Sequence, residues 1–171
     1  MFPDPEQRAE QHKTIFSLYA ESAIPNGTVW VTDDDASAAA IWTKPGGREL
    51  TDEAERRLEP YLTEVLGGHA RAVLETFHRF EAAAPKEPPF YYLSFLGTHP
   101  DHRGRGLGMG LLAGNLDRID AEGKPAYLES SNPANNPRYE ALGFQRYAEF
   151  STPGDEHTVT TMWREAARLS G

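Results

Sequence analysis

Cysteine is absent from all 171 residues of the chain. That absence removes disulfides, thiolate-based zinc sites and a cysteine acyl-enzyme together. Long hydrophobic runs are absent as well. No stretch approaches the length of a membrane span or a signal-peptide core, so a soluble cytoplasmic protein with no membrane partner is expected. Positive charge is scarce, with 17 lysines and arginines against 26 acidic residues and a formal charge of −9. That balance argues against a nucleic-acid partner and is compatible with a cationic amine as ligand. No repeat or low-complexity segment divides the chain, and its length suits a single domain, residues 1–171, with a core of its own.

What the chain does have is glycine concentrated in one place. Residues Thr98 to Leu112 read T-H-P-D-H-R-G-R-G-L-G-M-G-L-L. An apolar, aromatic run from Phe90 to Leu96 leads in, and an amphipathic pattern with Leu107, Leu111, Leu112, Leu116 and Ile119 on one face leads out. A strand thus feeds a glycine-rich, arginine-bearing turn at a helix N-terminus. Such a turn aims backbone N–H groups and the positive end of a helix dipole at one point, which suits a phosphate or pyrophosphate. Two familiar phosphate fingerprints fail. The dinucleotide spacing G-x-G-x-x-G meets Met109 or Leu111 where its last glycine belongs, and the one Gly-Lys pair, Gly123-Lys124, continues to Pro125 rather than Ser or Thr. Arg103-x-x-Gly106-x-Gly108 remains. Arg103 brings fixed charge, while Gly104, Gly106 and Gly108 remove side chains where backbone must approach an anion. The alternative is a plain turn that happens to be glycine-rich. Against it, the alternating glycines of the helix start cost about 1 kcal/mol each in helix propensity relative to alanine.

The rest of the chain alternates helix and strand signals. Glu6 to Ser22 reads as a helix with Ile15, Leu18 and Tyr19 on its apolar side, ended by Pro25-Asn26-Gly27. Thr28 to Thr32 and Ala38 to Thr43 read as a hairpin turned at Asp33-Asp34-Asp35. Lys44-Pro45-Gly46-Gly47 breaks the chain, and Thr51 opens a helix with acidic residues in its first turn. Helices are expected over Asp52–Leu66 and His69–Ala84. Pro85 to Pro89 resets the chain into the central strand. A short strand at Ala126–Glu129, a helix at Ala134–Leu142 closed by Gly143, and strands at Phe144–Phe150 and Thr158–Trp163 complete an α/β arrangement, an α+β sandwich around one sheet.

The stretch Leu96-Gly-Thr-His-Pro-Asp-His-Arg-Gly-Arg-Gly-Leu-Gly108 resembles the acetyl-CoA pyrophosphate motif of the GNAT superfamily of N-acetyltransferases. Pro125 to Asn132, Asn135 to Phe144 and Thr161 to Glu165 extend the likeness, and the set is similar to the puromycin N-acetyltransferase-like branch. The resemblance is specific over the C-terminal half and loose over the N-terminal half. It implies an acyl-CoA N-acyltransferase fold, with a central mixed, largely antiparallel sheet flanked by helices, and acetyl-CoA as co-substrate. On the matching positions, Leu96, Gly97, Thr98, Arg103, Gly104, Arg105, Gly106, Leu107, Gly108 and Met109 would hold the cofactor, with a backbone N–H around Leu96 to Thr98 polarising the thioester. Asn132 and Asn135 would contact the CoA arm, an ordinary turn and cap being the alternative. The segment that follows the family's first strand and helix corresponds here to Phe2–Glu6, so that strand and helix are expected to be missing and the acceptor side more open.

Tyr139 matches the family tyrosine near the CoA sulfur, which acts as general acid. A phenol of reference pKa about 10 stays protonated when a thiolate of about 8.5 departs. Core packing beside Leu142 is the alternative. Glu129, on the strand after the glycine-loop helix, would take a proton from the acceptor ammonium directly or through water; a structural or orienting role is equally compatible. His99 and His102 fit turn stabilisation better than catalysis. His69, Glu75 and His78 do not share one helix side, and no metal is expected. Trp30, Trp42, Phe77, Tyr91 and Tyr92 fit core strands better than an acceptor pocket. The expected function is direct acetyl transfer, in a ternary complex, to a primary amine of a small molecule. The alternatives are a protein or peptide N-acetyltransferase, or a catalytically idle acyl-CoA-binding sensor. Oligomeric state, a homodimer included, is left open.

Overall fold

Short runs of β-branched and aromatic residues set between helices become one sheet, whose inner strands bury apolar side chains against helices. The computed structural model describes residues 6–32, 36–153 and 157–167. Its strands are β1 (Val29–Val31), β2 (Ala38–Thr43), β3 (Tyr91–Thr98), β4 (Ala126–Ser130), β5 (Gln145–Ser151) and β6 (Thr158–Arg164). They lie in the order β1-β2-β3-β4-β6-β5. Neighbours pair antiparallel except β3 and β4, which are parallel. The expected mixed, largely antiparallel sheet is what forms.

The helices are α1 (Arg8–Ala23), α2 (Asp52–Leu66), α3 (Ala70–Ala83), α4 (Leu107–Ala121) and α5 (Asn136–Glu140). On one face, Ile15, Leu18 and Tyr19 of α1 join Leu58, Leu62 and Leu66 of α2 and Val73 of α3 against Ile41, with Phe95 at the margin. On the other face, Leu112, Leu116 and Ile119 of α4 pack on Ala40, Trp42, Tyr91, Leu93, Ala126, Leu128 and Met162. Trp42 is fully buried there, and its indole N–H donates to Asn115 Oδ1 at 2.9 Å, which satisfies both groups within the core. Thr51 caps α2 as its sequence predicts, its hydroxyl accepting the Ala54 N–H.

Two expectations shift. The helix expected over Ala134–Leu142 becomes a 3₁₀ turn at Pro133–Asn135 followed by the five-residue α5. Proline at the start of each piece removes the N–H that a continuous helix would need. Leu107 and Leu111 are only half-buried, so the buried stripe of α4 is narrower than its pattern. The expected turn at Asp33–Asp35 lies outside the described residues. So do residues 1–5, on which the expectation of a missing first strand bears; the first described element is α1.

One buried ion pair ties the C-terminal half together. Arg164 of β6 donates two hydrogen bonds to Asp120 at the end of α4, at 2.6 and 2.7 Å, and its Nε donates to the Leu142 carbonyl at 2.8 Å. Asp120 also accepts the Ala167 N–H at 2.9 Å. The Arg164 partner holds the Asp120 carboxyl below the usual carboxylate range. Removing one member leaves the other charged and buried, at a cost of about 3–5 kcal/mol. Asp120→Ala should therefore lower stability in urea denaturation by about that amount, and a change within the error of a surface substitution would show that the pair is replaceable by water.

Candidate active site

The site begins where β3 and β4 part. Their parallel register covers only Tyr91, Tyr92 and Leu93 against Ala126, Tyr127 and Leu128, yet β3 runs on to Thr98 and β4 to Ser130. The cause is visible on the other side of β3. Between Leu93 and Phe95 the pairing with β2 slips by one residue, so that Ser94 is an extra residue, a β-bulge. A bulge bends its strand and increases local twist, which carries the second half of β3 away from β4. Backbone from Phe95 to Thr98 thus keeps β2 as neighbour and leaves its β4 side unpaired. Leu96, Gly97 and Thr98 are in this segment, where the sequence places a thioester-polarising N–H.

The glycine loop follows. Gly104 and Gly106 have φ of +78° and +77°, a left-handed region that costs other L-residues about 1–2 kcal/mol. Gly106 is also the N-cap of α4, with no side chain capping the helix. The first intrahelical bond is Gly110 N–H to Gly106 O at 2.9 Å, so the N–H groups of Leu107, Gly108 and Met109 have no partner within the helix. A Cβ at Gly104 or Gly106 would meet nothing within 4 Å, so the left-handed backbone rather than crowding favours glycine at both. At Gly108, in contrast, a Cβ would come within 2.7 Å of Thr98 Oγ1; glycine there allows α4 to start hard against the end of β3. Arg103 and Arg105 are exposed on the rim, Arg103 Nε donating to the Thr98 carbonyl at 3.4 Å and Arg105 Nη1 lying 3.0 Å from His102 Nδ1. His99 Nδ1 accepts the Asp101 N–H at 3.3 Å, so both histidines shape the turn. Backbone donors, two guanidinium groups and an uncapped helix start fit a pyrophosphate; the residues present suit the phosphate arm of CoA.

Tyr139 lies on α5 beside α4, half-buried, its ring edge-on to Phe144 with centroids 6.2 Å apart. Burial raises its phenol above the ordinary value and Arg138 pulls it partly back. Its hydroxyl makes no hydrogen bond to a described residue. Asn132 accepts the Ala134 N–H at 3.1 Å, a local cap, and Asn135 Oδ1 lies 3.5 Å from Arg138 Nη1. Next to Asn135, Asn136, passed over in the sequence, is buried and donates to Thr160 Oγ1 at 3.1 Å, while its Oδ1 has no partner among the described residues.

Glu129 sits one residue past the last β3–β4 pair, on the sheet face away from α4. Burial pushes its carboxyl up to about 7; the Tyr92 and Tyr127 hydroxyls favour its charged form, and Glu49 opposes it. Glu49, in the loop between β2 and α2, is itself raised by burial. Sequence reading missed Glu49 and Tyr127 and placed Tyr92 in the core. The signal available was the alternation Tyr127, Glu129 on one face of β4, with Tyr92 opposite on β3. The other aromatics do enter the packing: Trp42 and Tyr91 belong to the α4-side core, Phe77 borders the α1–α3 core, and Trp30 lies under Arg118. Glu75 pairs with Arg79 at 2.7 Å. Among the described residues no group of three or more potential ligands could hold a metal, and no helix is long and apolar enough to cross a membrane.

Comparison with known proteins shows the family and the fold. The acetyltransferase (GNAT) family profile matches residues 30–144, more than half of the chain. A mycothiol acetyltransferase of Corynebacterium aurimucosum is 35% identical over 81 residues, 46% of this chain and 27% of its own length, so the chain spans about a quarter of that curated relative. A solved structure of a histone acetyltransferase HPA2-related protein of Corynebacterium glutamicum superposes with a TM-score of 0.62 at 22% identity, covering 99% of this chain and 82% of its own. A polyamine N-acetyltransferase of Drosophila melanogaster that forms N-acetylagmatine gives 0.60 at 18%, covering 92% and 95%. At these identities the superpositions establish the fold.

Two outcomes follow from the geometry. Gly106→Ala must strain the αL cap and so shift the loop that aims the bare amides; it should weaken acetyl-CoA binding by about tenfold or more in calorimetry with an unchanged circular dichroism spectrum. For Glu129, folding lifts the carboxyl from 4.5 to about 7, so between those values the folded state binds more protons than the unfolded one, and stability declines as pH rises through the window. Glu129→Gln should abolish that decline: thermal melts would show the variant gaining on the wild type above the window and not below it.

Proposed function

The chain belongs to the GNAT acetyltransferase family, and from that premise we propose that it moves the acetyl group of acetyl-CoA directly to the primary amine of a small molecule within a ternary complex. Acetyl-CoA supplies an activated acetyl thioester. Leu107, Gly108 and Met109 N–H groups, with Arg103 and Arg105, hold its pyrophosphate; Leu96, Gly97 and Thr98 line the arm nearer the thioester. A β3 N–H freed by the bulge donates to the thioester oxygen where negative charge develops. Glu129 accepts a proton from the acceptor ammonium, which releases the nitrogen lone pair for attack. Tyr139 Oη holds the proton that the departing thiolate needs, and Asn132 and Asn135 flank the same arm.

The observation that carries this reading is the position of Glu129. A carboxyl that burial pushes up to about 7, set where β3 and β4 separate, is suited to accepting a proton from an amine. Tyr139 belongs to the α4-side packing, whereas Glu129 faces the other way. Acid and base therefore address the gap from opposite faces, an arrangement suited to a donor entering from one side and an acceptor from the other. A half-way intermediate on the enzyme is not needed, and the chain has no cysteine to carry one.

An amine panel followed by thiol release from acetyl-CoA tests the proposal, with calorimetry establishing first that acetyl-CoA binds. Tyr139→Phe should lower kcat by about a hundredfold or more while retaining acetyl-CoA affinity. Unchanged turnover in that variant would remove Tyr139 from the chemistry. Binding of acetyl-CoA with no amine acetylated would favour the idle acyl-CoA-binding module, and acetylation confined to peptides would favour the protein acceptor.

A further inference from the structure

Tyr139 stands on a helix that cannot hold it alone. α5 has five residues, little more than one turn, and an isolated helix of that length does not persist in water. Its position is therefore set from outside, by polar contacts to β5 and β6. At its C-terminal end, Arg146 Nε donates to Glu140 Oε1 at 3.1 Å, and Arg164 Nε donates to the Leu142 carbonyl two residues further on. The side chains of Arg146 and Glu140 are 57% and 42% exposed, and a solvated pair of that kind is a weak tether. At the N-terminal end the tether is Asn136, the first residue of α5, whose Nδ2 donates to Thr160 Oγ1 at 3.1 Å. Asn136 and Thr160 are each 1% exposed.

The direction of that buried contact is fixed. Thr160 Oγ1 donates its one proton to Glu149 Oε1 at 3.3 Å, so toward Asn136 it can only accept. The amide must turn its NH2 to Thr160, and Asn136 Oδ1 is left buried with no partner among the described residues. An unpaired buried oxygen is unfavourable, and an apolar residue of similar shape would fill the site without one. The amide is therefore explained by the contact it makes, not by the space it fills. That contact reaches β6 beside the second reacting group. Thr160 pairs with Ser130 of β4, and the next residue, Thr161, pairs with Glu129. Adjacent residues of one strand thus hold the helix of Tyr139 and the strand position of Glu129.

We propose that Asn136 is a positioning residue for Tyr139: through its hydrogen bond to Thr160 it fixes where the phenol stands relative to the gap between β3 and β4. β6 then serves as the common support of acid and base. The inference rests on the acetyl-transfer reading above, in which Tyr139 supplies the proton for the departing thiolate. Displacing a reacting group by about 1 Å can cost about a hundredfold in rate, so loss of the tether is read in kcat.

The test uses the intact protein with butylamine as acceptor. Thr160→Val keeps the side-chain shape and removes the hydroxyl, whereas Thr160→Ser keeps the hydroxyl. Thr160→Val should lower kcat by about tenfold or more, with KM for the amine and affinity for acetyl-CoA unchanged, and Thr160→Ser should retain the wild-type rate. In Tyr139→Phe, where the phenol is already gone, Thr160→Val should cost nothing further. An equal loss in both backgrounds, or a rise in KM in place of the fall in kcat, would overturn the proposal. Wild-type turnover in Tyr139→Phe, or none of butylamine in the wild type, counts against the transfer reading separately. Carbon-13 NMR of the protein labelled at tyrosine Cζ then decides the tether without turnover. The resonance that Tyr139→Phe removes should shift or split in Thr160→Val and keep its place in Thr160→Ser, the other tyrosines staying where they are. An unmoved Tyr139 resonance in Thr160→Val refutes the proposal, and so does a change spread over all the tyrosines.

Discussion

Much of this molecule depends on one extra residue. Ser94 lengthens β3 by one position against β2, and the parallel pairing with β4 ends as a result after three residues. Without that slip β3 and β4 would continue to pair, their N–H and C=O groups would satisfy one another, and the sheet would have a closed centre. With it, a row of backbone donors is left between two strands that are each anchored on their far side, β3 by β2 and β4 by β6. The opening is therefore rigid rather than frayed. It is also placed so that the glycine loop, which follows β3 directly, and Glu129, one residue past the last β3–β4 pair, flank the same gap.

Electrostatics divide along the two faces of the sheet. The α4 side gathers positive character from bare helix amides, Arg103 and Arg105. The opposite side gathers negative character from Glu49 and Glu129. In a chain of net charge −9, the positive point stands out and the negative one does not. The two faces therefore differ in the sign of charge they would attract.

How far the sequence could be read follows from the same physics. The glycine loop was legible because left-handed φ at Gly104 and Gly106, and the contact of Gly108 with Thr98, admit almost no other residue; backbone geometry there is written directly in residue identity. The order of helices and strands was legible because Thr51, Pro25 and Gly143 mark boundaries by local rules. The side of the sheet that carries Glu49 and Glu129 was not. Glu49 and Glu129 lie far apart along the chain, on a loop and a strand, and only folding makes them neighbours. Tyr127 and Tyr92 look like any strand aromatics until their hydroxyls are seen to converge on a carboxyl. The bulge itself leaves no local trace, since Ser94 is an unremarkable residue within an apolar run.

The uncapped start of α4 has a consequence beyond catalysis. Most helices close their first turn with a Ser, Thr, Asp or Asn side chain, worth about 1 kcal/mol to the fold. Here Gly106 offers none, and the donor's phosphates would finish the helix instead. A ligand that binds only the folded chain adds RT ln(1 + [L]/Kd) to its stability. The folded population, and with it resistance to proteolysis, would then rise with the concentration of any ligand whose phosphates complete that turn.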